Sequence, residues 1–368
     1  MSERVLPASP ISHRSPPARR NKEGRERVAP EVTQTSQIPL SILDLAPVSA
    51  AANTTEALRN TTELAKQAET WGYKRFWVAE HHNMPAIASS TPAVLIAHLA
   101  ANTSTIRVGS GGVMLPNHAP LVVAEQFGTL AALHPDRIDL GLGRAPGTDG
   151  RTALALRRTQ QGLSAEDFPA ELHQLRSMLL GDPEELSAVP RADVPPQVWL
   201  LGSSGFSAQL AGMLGLPFAF AHHFSGANTD AALALYRQSF TPGVLDKPHA
   251  MLTVNTVVAD TVEHAEYLSR PGWLAFLSLR LGRPQALPTP EDAARYQFSP
   301  AELDFVEDRK FGQAMGDVDT VRRQLGELVE RTKVDELMVT NQVYGLADRL
   351  RSYELVKDIV AEGLPVRV

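Results

Sequence analysis

A glutamate and two histidines, Glu80, His81 and His82, follow directly on the apolar run FWVA at residues 76–79. A carboxylate beside an imidazole can move protons near neutral pH, because histidine's ordinary pKa of about 6.5 shifts with its neighbours. At the end of a buried strand, His81 is a candidate general base and Glu80 a candidate catalytic partner. Successive strand residues point to opposite faces. His82 is therefore expected to brace the loop, and three adjacent residues are not expected to converge on one metal ion.

Further groups stand at the ends of other apolar runs. Gly111 and Gly112 interrupt IRVGSGGVML, residues 106–115; a glycine pair in a strand admits a flat ligand or another backbone, or makes a bulge. RIDLGLG, residues 137–143, leads into Arg144, a planar cation that could hold an anionic ring or a phosphate. GLGRAPG is not a dinucleotide fingerprint, because its spacing is G-x-G-x-x-x-G and Pro146 interrupts it. VWLLG at 198–202 is followed by Ser203, Ser204 and Ser207. With Gly202 they form a small-residue turn at a helix start, either an anion site for phosphate or a set of plain caps. The order G-S-S-G-F is not that of a nucleophile elbow. His222 and His223 end the run PFAFAHH and are candidates for lining a pocket.

These groups need a scaffold. The 368 residues, 43% hydrophobic and 21% charged, suffice for a large core. The absence of cysteine removes disulfides, thiolate ligands and thiol nucleophiles. A net charge of -6 offers no basic field for nucleic acid, which leaves small molecules as the expected partners. No apolar stretch approaches the roughly 18 to 20 residues of a membrane span, and residues 1–37 lack the apolar core of a secretory signal. A cytoplasmic protein is expected.

From Pro39 onward, short apolar runs alternate with segments whose apolar residues recur every three or four positions, the pattern of doubly buried strands and amphipathic helices. Strands are expected at 40–46, 75–80, 106–115, 137–143, 198–202, 217–223, 250–259 and 336–341. Helices are expected at 53–71, 90–101, 119–134, 204–214, 228–239, 260–281, 318–332 and 345–362, with Leu121, Val122 and Phe127 as core. The repeat predicts an α/β fold, a (β/α)8 TIM barrel, with a doubly wound open sheet as the alternative. Long segments at 144–197 and 283–316 read as insertions after strands four and seven, the first able to act as a lid. Residues 1–37 read as a disordered tail and 38–368 as one barrel domain.

The runs LSILDLAP, GYKRFWVAEHHNM, VGSGGVMLPNHAPLVVAEQFGTL, RIDLGLGRAPGTD and VWLLGSSGFSAQLAGMLGLPFAFAHHF together resemble the bacterial luciferase-like flavin monooxygenase family, over roughly residues 39–362. The resemblance implies reduced FMN at the C-terminal rim of the barrel, O2 as co-substrate, and oxidation of a small organic molecule. It assigns His81 the role of proton manager and places Glu80 along the flavin ring. It puts Gly111 and Gly112 under the ring, with a non-proline cis peptide nearby. Ala46, Arg144, Gly202, Ser203, Ser204 and Ser207 complete the implied cofactor-binding set. Because no nicotinamide fingerprint is found, a separate flavin reductase is the expected partner; a homodimer is expected by the same resemblance. Gly143 stands where the luciferases have a cysteine, so light emission is not expected. A deazaflavin-dependent dehydrogenase of the same barrel family and a non-catalytic flavin-binding protein remain open.

Overall fold

The structure, a computed structural model, describes residues 33–156, 166–184 and 186–367. The first strand, β1 (Thr33–Ser36), lies antiparallel to the last, β11 (Leu364–Arg367). These four residues and the exposed Gln37 fall within the segment expected to be a disordered tail, which is thus ordered from Thr33; residues 1–32 lie outside the described residues.

Eight parallel strands then form a ring: β2 (Leu40–Asp44), β3 (Arg75–Val78), β4 (Arg107–Met114), β5 (Ile138–Gly143), β6 (Gln197–Gly202), β7 (Phe218–Phe220), β8 (Ala250–Val258) and β10 (Glu336–Thr340). β10 pairs with both β2 and β8, which closes the barrel and rules out the open sheet. β9 (Gln313–Gly316) lies outside the ring, beside the end of β8, with Gln313 opposite Asn255.

Alternation along each strand divides the core. Ile42, Phe76, Val108, Leu140, Leu200 and Leu252 join the core shared with the surrounding helices. Leu43, Trp77, Trp199, Ala219, Met251 and Met338 cluster inside the ring. Toward the strand starts, Arg75 bridges Asp139 at 2.7 Å and Glu336 at 2.9 Å, and Trp77 donates its indole N–H to Asp139 at 2.9 Å. With every carboxylate partnered, this plug fills one end of the barrel and leaves the other end to the loops.

The helices are α1 (Thr54–Thr70), α2 (Pro92–Ala101), α3 (Pro120–Leu133), α4 (Gly150–Leu156), α5 (Phe168–Leu180), α6 (Gly205–Met213), α7 (Thr229–Gln238), α8 (Val262–Arg280), α9 (Pro290–Arg295), α10 (Pro300–Lys310), α11 (Val318–Thr332) and α12 (Leu346–Glu362). Local chemistry sets their ends. Asn53 caps α1 by accepting the Glu56 N–H at 3.0 Å, and prolines open α2 and α3, where a missing N–H costs nothing.

The segment 144–197 also holds the helix that the repeat requires after β5. α5 buries Phe168, Leu172, Leu175 and Met178 in the same core as Phe127 of α3. The segment 283–316 carries α9, α10 and β9. Val122, expected in the core, is 46% exposed on α3, whereas Phe127 is fully buried. No helix among the described residues is long and apolar enough to cross a membrane.

Candidate active site

The C-terminal strand ends open into a cavity of about 310 Å³, with Leu43, Trp77, Ala219 and Met338 from the barrel interior among its lining residues. His81 enters its wall two residues beyond the barrel core residue Ala79. Its backbone N–H donates to the Ser89 carbonyl at 3.0 Å, and its Nδ1 lies 3.2 Å from the Gly147 carbonyl. A carbonyl only accepts, so Nδ1 carries the proton and Nε2 keeps its lone pair. Burial pulls the His81 pKa below 6.5, against the raising effects of the Gly147 carbonyl and the Glu80 charge. The ring is therefore neutral at physiological pH and able to accept a proton.

Gly147 is the third glycine of GLGRAPG. Its φ of 65° suits glycine, and a Cβ there would stand 2.8 Å from the Glu80 carbonyl oxygen. The segment that failed as a dinucleotide fingerprint thus supplies the acceptor that orients His81.

Glu80 does not lie along the cavity as expected. Its side chain is fully buried and absent from the lining. The carboxylate accepts from the Met114 N–H at 3.0 Å, Asn117 Nδ2 at 3.2 Å, His118 Nε2 at 2.9 Å and His82 Nε2 at 2.9 Å. Burial alone would raise its pKa; the bonds from His118 and His82, the His118 charge and the Met114 N–H outweigh it and hold the value at about 2. Glu80 is a charged knot behind the wall that ties the β3 and β4 exits together, and His82 braces the loop through it.

Gly111 and Gly112 both line the cavity and are joined by a cis peptide bond, with a register shift against β5 between Gly111 and Val113. A Cβ on Gly111 would lie 2.6 Å from Leu43 Cδ1, and one on Gly112 would lie 2.7 Å from the Gly141 carbonyl oxygen. The pair is both a bulge and a bare wall.

Arg144 lines the cavity with its guanidinium 4.3 Å from the centre of the Phe206 ring. Gly202, Ser203, Ser204 and Ser207 line it at the start of α6. Ser204 occupies the cap position but makes no side-chain cap bond, so its hydroxyl does not compete for the first N–H groups of the helix. Gly202 lets Ser207 approach, since a Cβ there would stand 2.7 Å from Ser207 Cβ. Ala46 is fully buried and absent from the lining; its carbonyl accepts from the Ala88 N–H at 3.0 Å while neighbouring Leu45 reaches the cavity.

The second histidine pair divides. His223 lines the cavity with Nδ1 3.2 Å from the Thr253 carbonyl. Burial, with the Arg309 cation nearby, lowers its pKa to about 3 against the opposing pull of the Thr253 carbonyl. His222 turns away to Thr229 Oγ1 at 2.6 Å, and burial, with the Arg331 charge, lowers its pKa to about 4. Asn255, Trp273, Phe276, Arg309 and Gln313 also line the cavity, and nothing in their local sequence marks them. Among the described residues no group of three or more His, Asp or Glu side chains is placed to hold a metal.

The family model of the luciferase-like monooxygenases matches residues 38–336. The uncharacterized protein YvbT of Bacillus subtilis is 50% identical over 324 residues, 87% of this chain and 96% of its own length. A luciferase-like monooxygenase of Escherichia coli K12 is 47% identical over 330 residues, 89% of this chain and 98% of its own. The crystal structure of apo-MsnO8 is similar at 38% identity and a TM-score of 0.80, covering 89% of this chain and 99% of that one. The fold extends to the FMN complex of the oxygenating constituent of 3,6-diketocamphane monooxygenase from Pseudomonas putida, at 18% identity and a TM-score of 0.69, covering 88% and 98% of the two chains. It also extends to an F420-dependent secondary alcohol dehydrogenase, at 14% identity and a TM-score of 0.59, covering 88% and 99%.

Proposed function

The chain belongs to the luciferase-like monooxygenase family, and from that premise we propose that it binds reduced FMN in this cavity and uses it with O2 to oxidise a small organic substrate, a separate reductase supplying the reduced flavin. The observation that carries this reading is the meeting, in one cavity, of the bare Gly111–Gly112 wall and the serine-rich start of α6. The residues present fit the cofactor. A side chain at either glycine would strike Leu43 or the Gly141 backbone, so only glycine fits there and the wall presents bare backbone, a surface that a flat ring can approach. The α6 N-terminus with Ser203, Ser204 and Ser207 would hold the phosphate, and Arg144 would add a fixed positive charge.

Bound reduced FMN would supply the electrons and the place where oxygen is activated. His81 takes up or returns a proton at Nε2. Trp77, Leu43 and Met338 keep that wall apolar, which strengthens each polar contact made against it. Glu80 acts at one remove, by holding the β3 and β4 exits, and is a positioning residue. The monooxygenase reading is preferred to a deazaflavin dehydrogenase on the name of the 47% identical relative.

Rapid mixing of the protein–reduced FMN complex with oxygenated buffer is the test. Flavin reoxidation slower than that of free reduced FMN, with a distinct intermediate absorbance, supports the reading. Reoxidation at the free rate contradicts it.

A further inference from the structure

The cavity has a second polar wall that the cofactor residues do not use. Arg309 at the end of α10, Gln313 on β9 and Asn255 on β8 all line it, and Gln313 and Asn255 are cross-strand neighbours. Each holds a buried polar atom with no hydrogen-bond partner: Arg309 Nε, Gln313 Nε2 and Asn255 Oδ1. Buried polar groups are almost always satisfied, so three such atoms along one cavity wall single it out as the place for a polar guest.

The chemistry of the orphans defines the ligand. Arg309 donates Nη1 to the His223 carbonyl at 3.3 Å and lies over the Phe276 ring at 3.7 Å. Among the described residues no acidic neighbour offsets the burial that lowers its pKa to about 10. It remains a cation at neutral pH, and a half-buried cation with no counter-ion favours an anionic guest. Gln313 Oε1 already accepts from the Trp273 indole at 3.4 Å, which leaves its amide as a donor. Asn255 Oδ1 is an acceptor. Two donors, one of them charged, beside one acceptor suit a carboxylate with an N–H or O–H close to it. Trp273, Phe276 and Leu279 offer apolar surface for the rest of the molecule.

We propose that Arg309, Gln313 and Asn255 form the substrate subsite, and that the substrate is a small carboxylic acid with an apolar body and a hydrogen-bond donor next to the carboxylate. Arg309 arrives from the excursion between β8 and α11, whereas the serines assigned to phosphate stand at the β6–α6 turn. The inference rests on the flavin reading only for how the cavity is shared.

The test is calorimetric titration of the FMN-saturated protein, and of the protein without FMN, with N-acetylglycine, N-acetylleucine, N-acetylphenylalanine and mandelate, each beside its neutral primary amide. At least one acid binds tighter than its amide by about tenfold or more, the effect of a charge-assisted pair. Arg309→Gln removes that preference, and Gln313→Leu, which keeps the cation, reduces it. FMN affinity stays within about threefold in both variants, less than the loss of a bond to a charged phosphate would cost. Equal binding of acids and amides, or no binding by any acid, overturns the proposal. Loss of FMN affinity over riboflavin affinity in Arg309→Gln also overturns it, since the cation would then serve the cofactor phosphate. Failure of the wild type to bind FMN while the acid preference persists would defeat the flavin reading alone.

Discussion

His81 and Gly147 are joined through a 3.2 Å contact between Nδ1 and a carbonyl oxygen, and this fixes which ring nitrogen can accept a proton. The contact spans 66 positions of sequence, from the exit of β3 to the exit of β5. Replacing His81 with alanine should lower turnover by about 10² to 10⁴, the usual worth of a positioned acid–base group. FMN binding should persist. Burial holds the His81 pKa below 6.5, so the wild-type rate should be level above neutrality and fall as acid protonates Nε2. That acid limb should be missing from the residual activity of His81→Ala, and unchanged turnover would remove the assignment.

Glu80 predicts a different signature. Its carboxyl titrates at about 2 in the folded protein against 4.5 for an ordinary glutamate. A lowered carboxylate contributes stability that is full above 4.5 and is lost as the pH falls toward about 2. Glu80→Gln leaves four donors around a neutral amide and should cost roughly 2 to 4 kcal/mol in urea unfolding at pH 7. Its stability should also depend less on pH between 5 and 3 than that of the wild type, by the same linkage. A variant as stable as the wild type at pH 7 would show that the knot is not structural.

At the start of α6, replacing Ser204 and Ser207 together with alanine should weaken FMN by about tenfold or more, as expected for lost bonds to a charged group. Riboflavin, which has no phosphate, should be affected far less. Equal weakening of the two ligands, measured by fluorescence quenching, would place the phosphate elsewhere.

Gly112→Ala tests the bare wall. The new Cβ would stand 2.7 Å from the Gly141 carbonyl oxygen, a distance that forces backbone to move. Thermal unfolding should begin at lower temperature, with a loss of roughly 1 to 3 kcal/mol typical of overpacking. FMN affinity should fall further than stability does, and an FMN affinity equal to the wild type's would exclude this wall from the ring site.

The eight strands were legible because strands buried on both faces read as continuous apolar runs, and because glycine, proline and asparagine punctuate the helices. His81, Arg144 and the serine turn were legible as cavity-lining residues because each follows the end of a run, and the glycine pair because it interrupts one. Glu80 misled because alternation gives the direction of a side chain on a strand but not beyond it; β3 ends at Val78, and the carboxylate follows the donors of the next loop. Val122 misled because an apolar residue on an amphipathic helix need not face the core. Arg309, Gln313 and Asn255 carry no local signal. They converge only when β9 docks beside β8, a pairing between residues 58 positions apart.

In the proposed function, the glycine wall and the α6 turn together bind reduced FMN. Anaerobic titration of the purified protein with reduced FMN, reduced riboflavin and reduced F420 tests it most directly. Saturable binding of reduced FMN is expected, tighter than reduced riboflavin by about tenfold or more through the phosphate contacts, with F420 unable to displace it. Tight binding of F420 with none of FMN, or equal affinity for FMN and riboflavin, would contradict it.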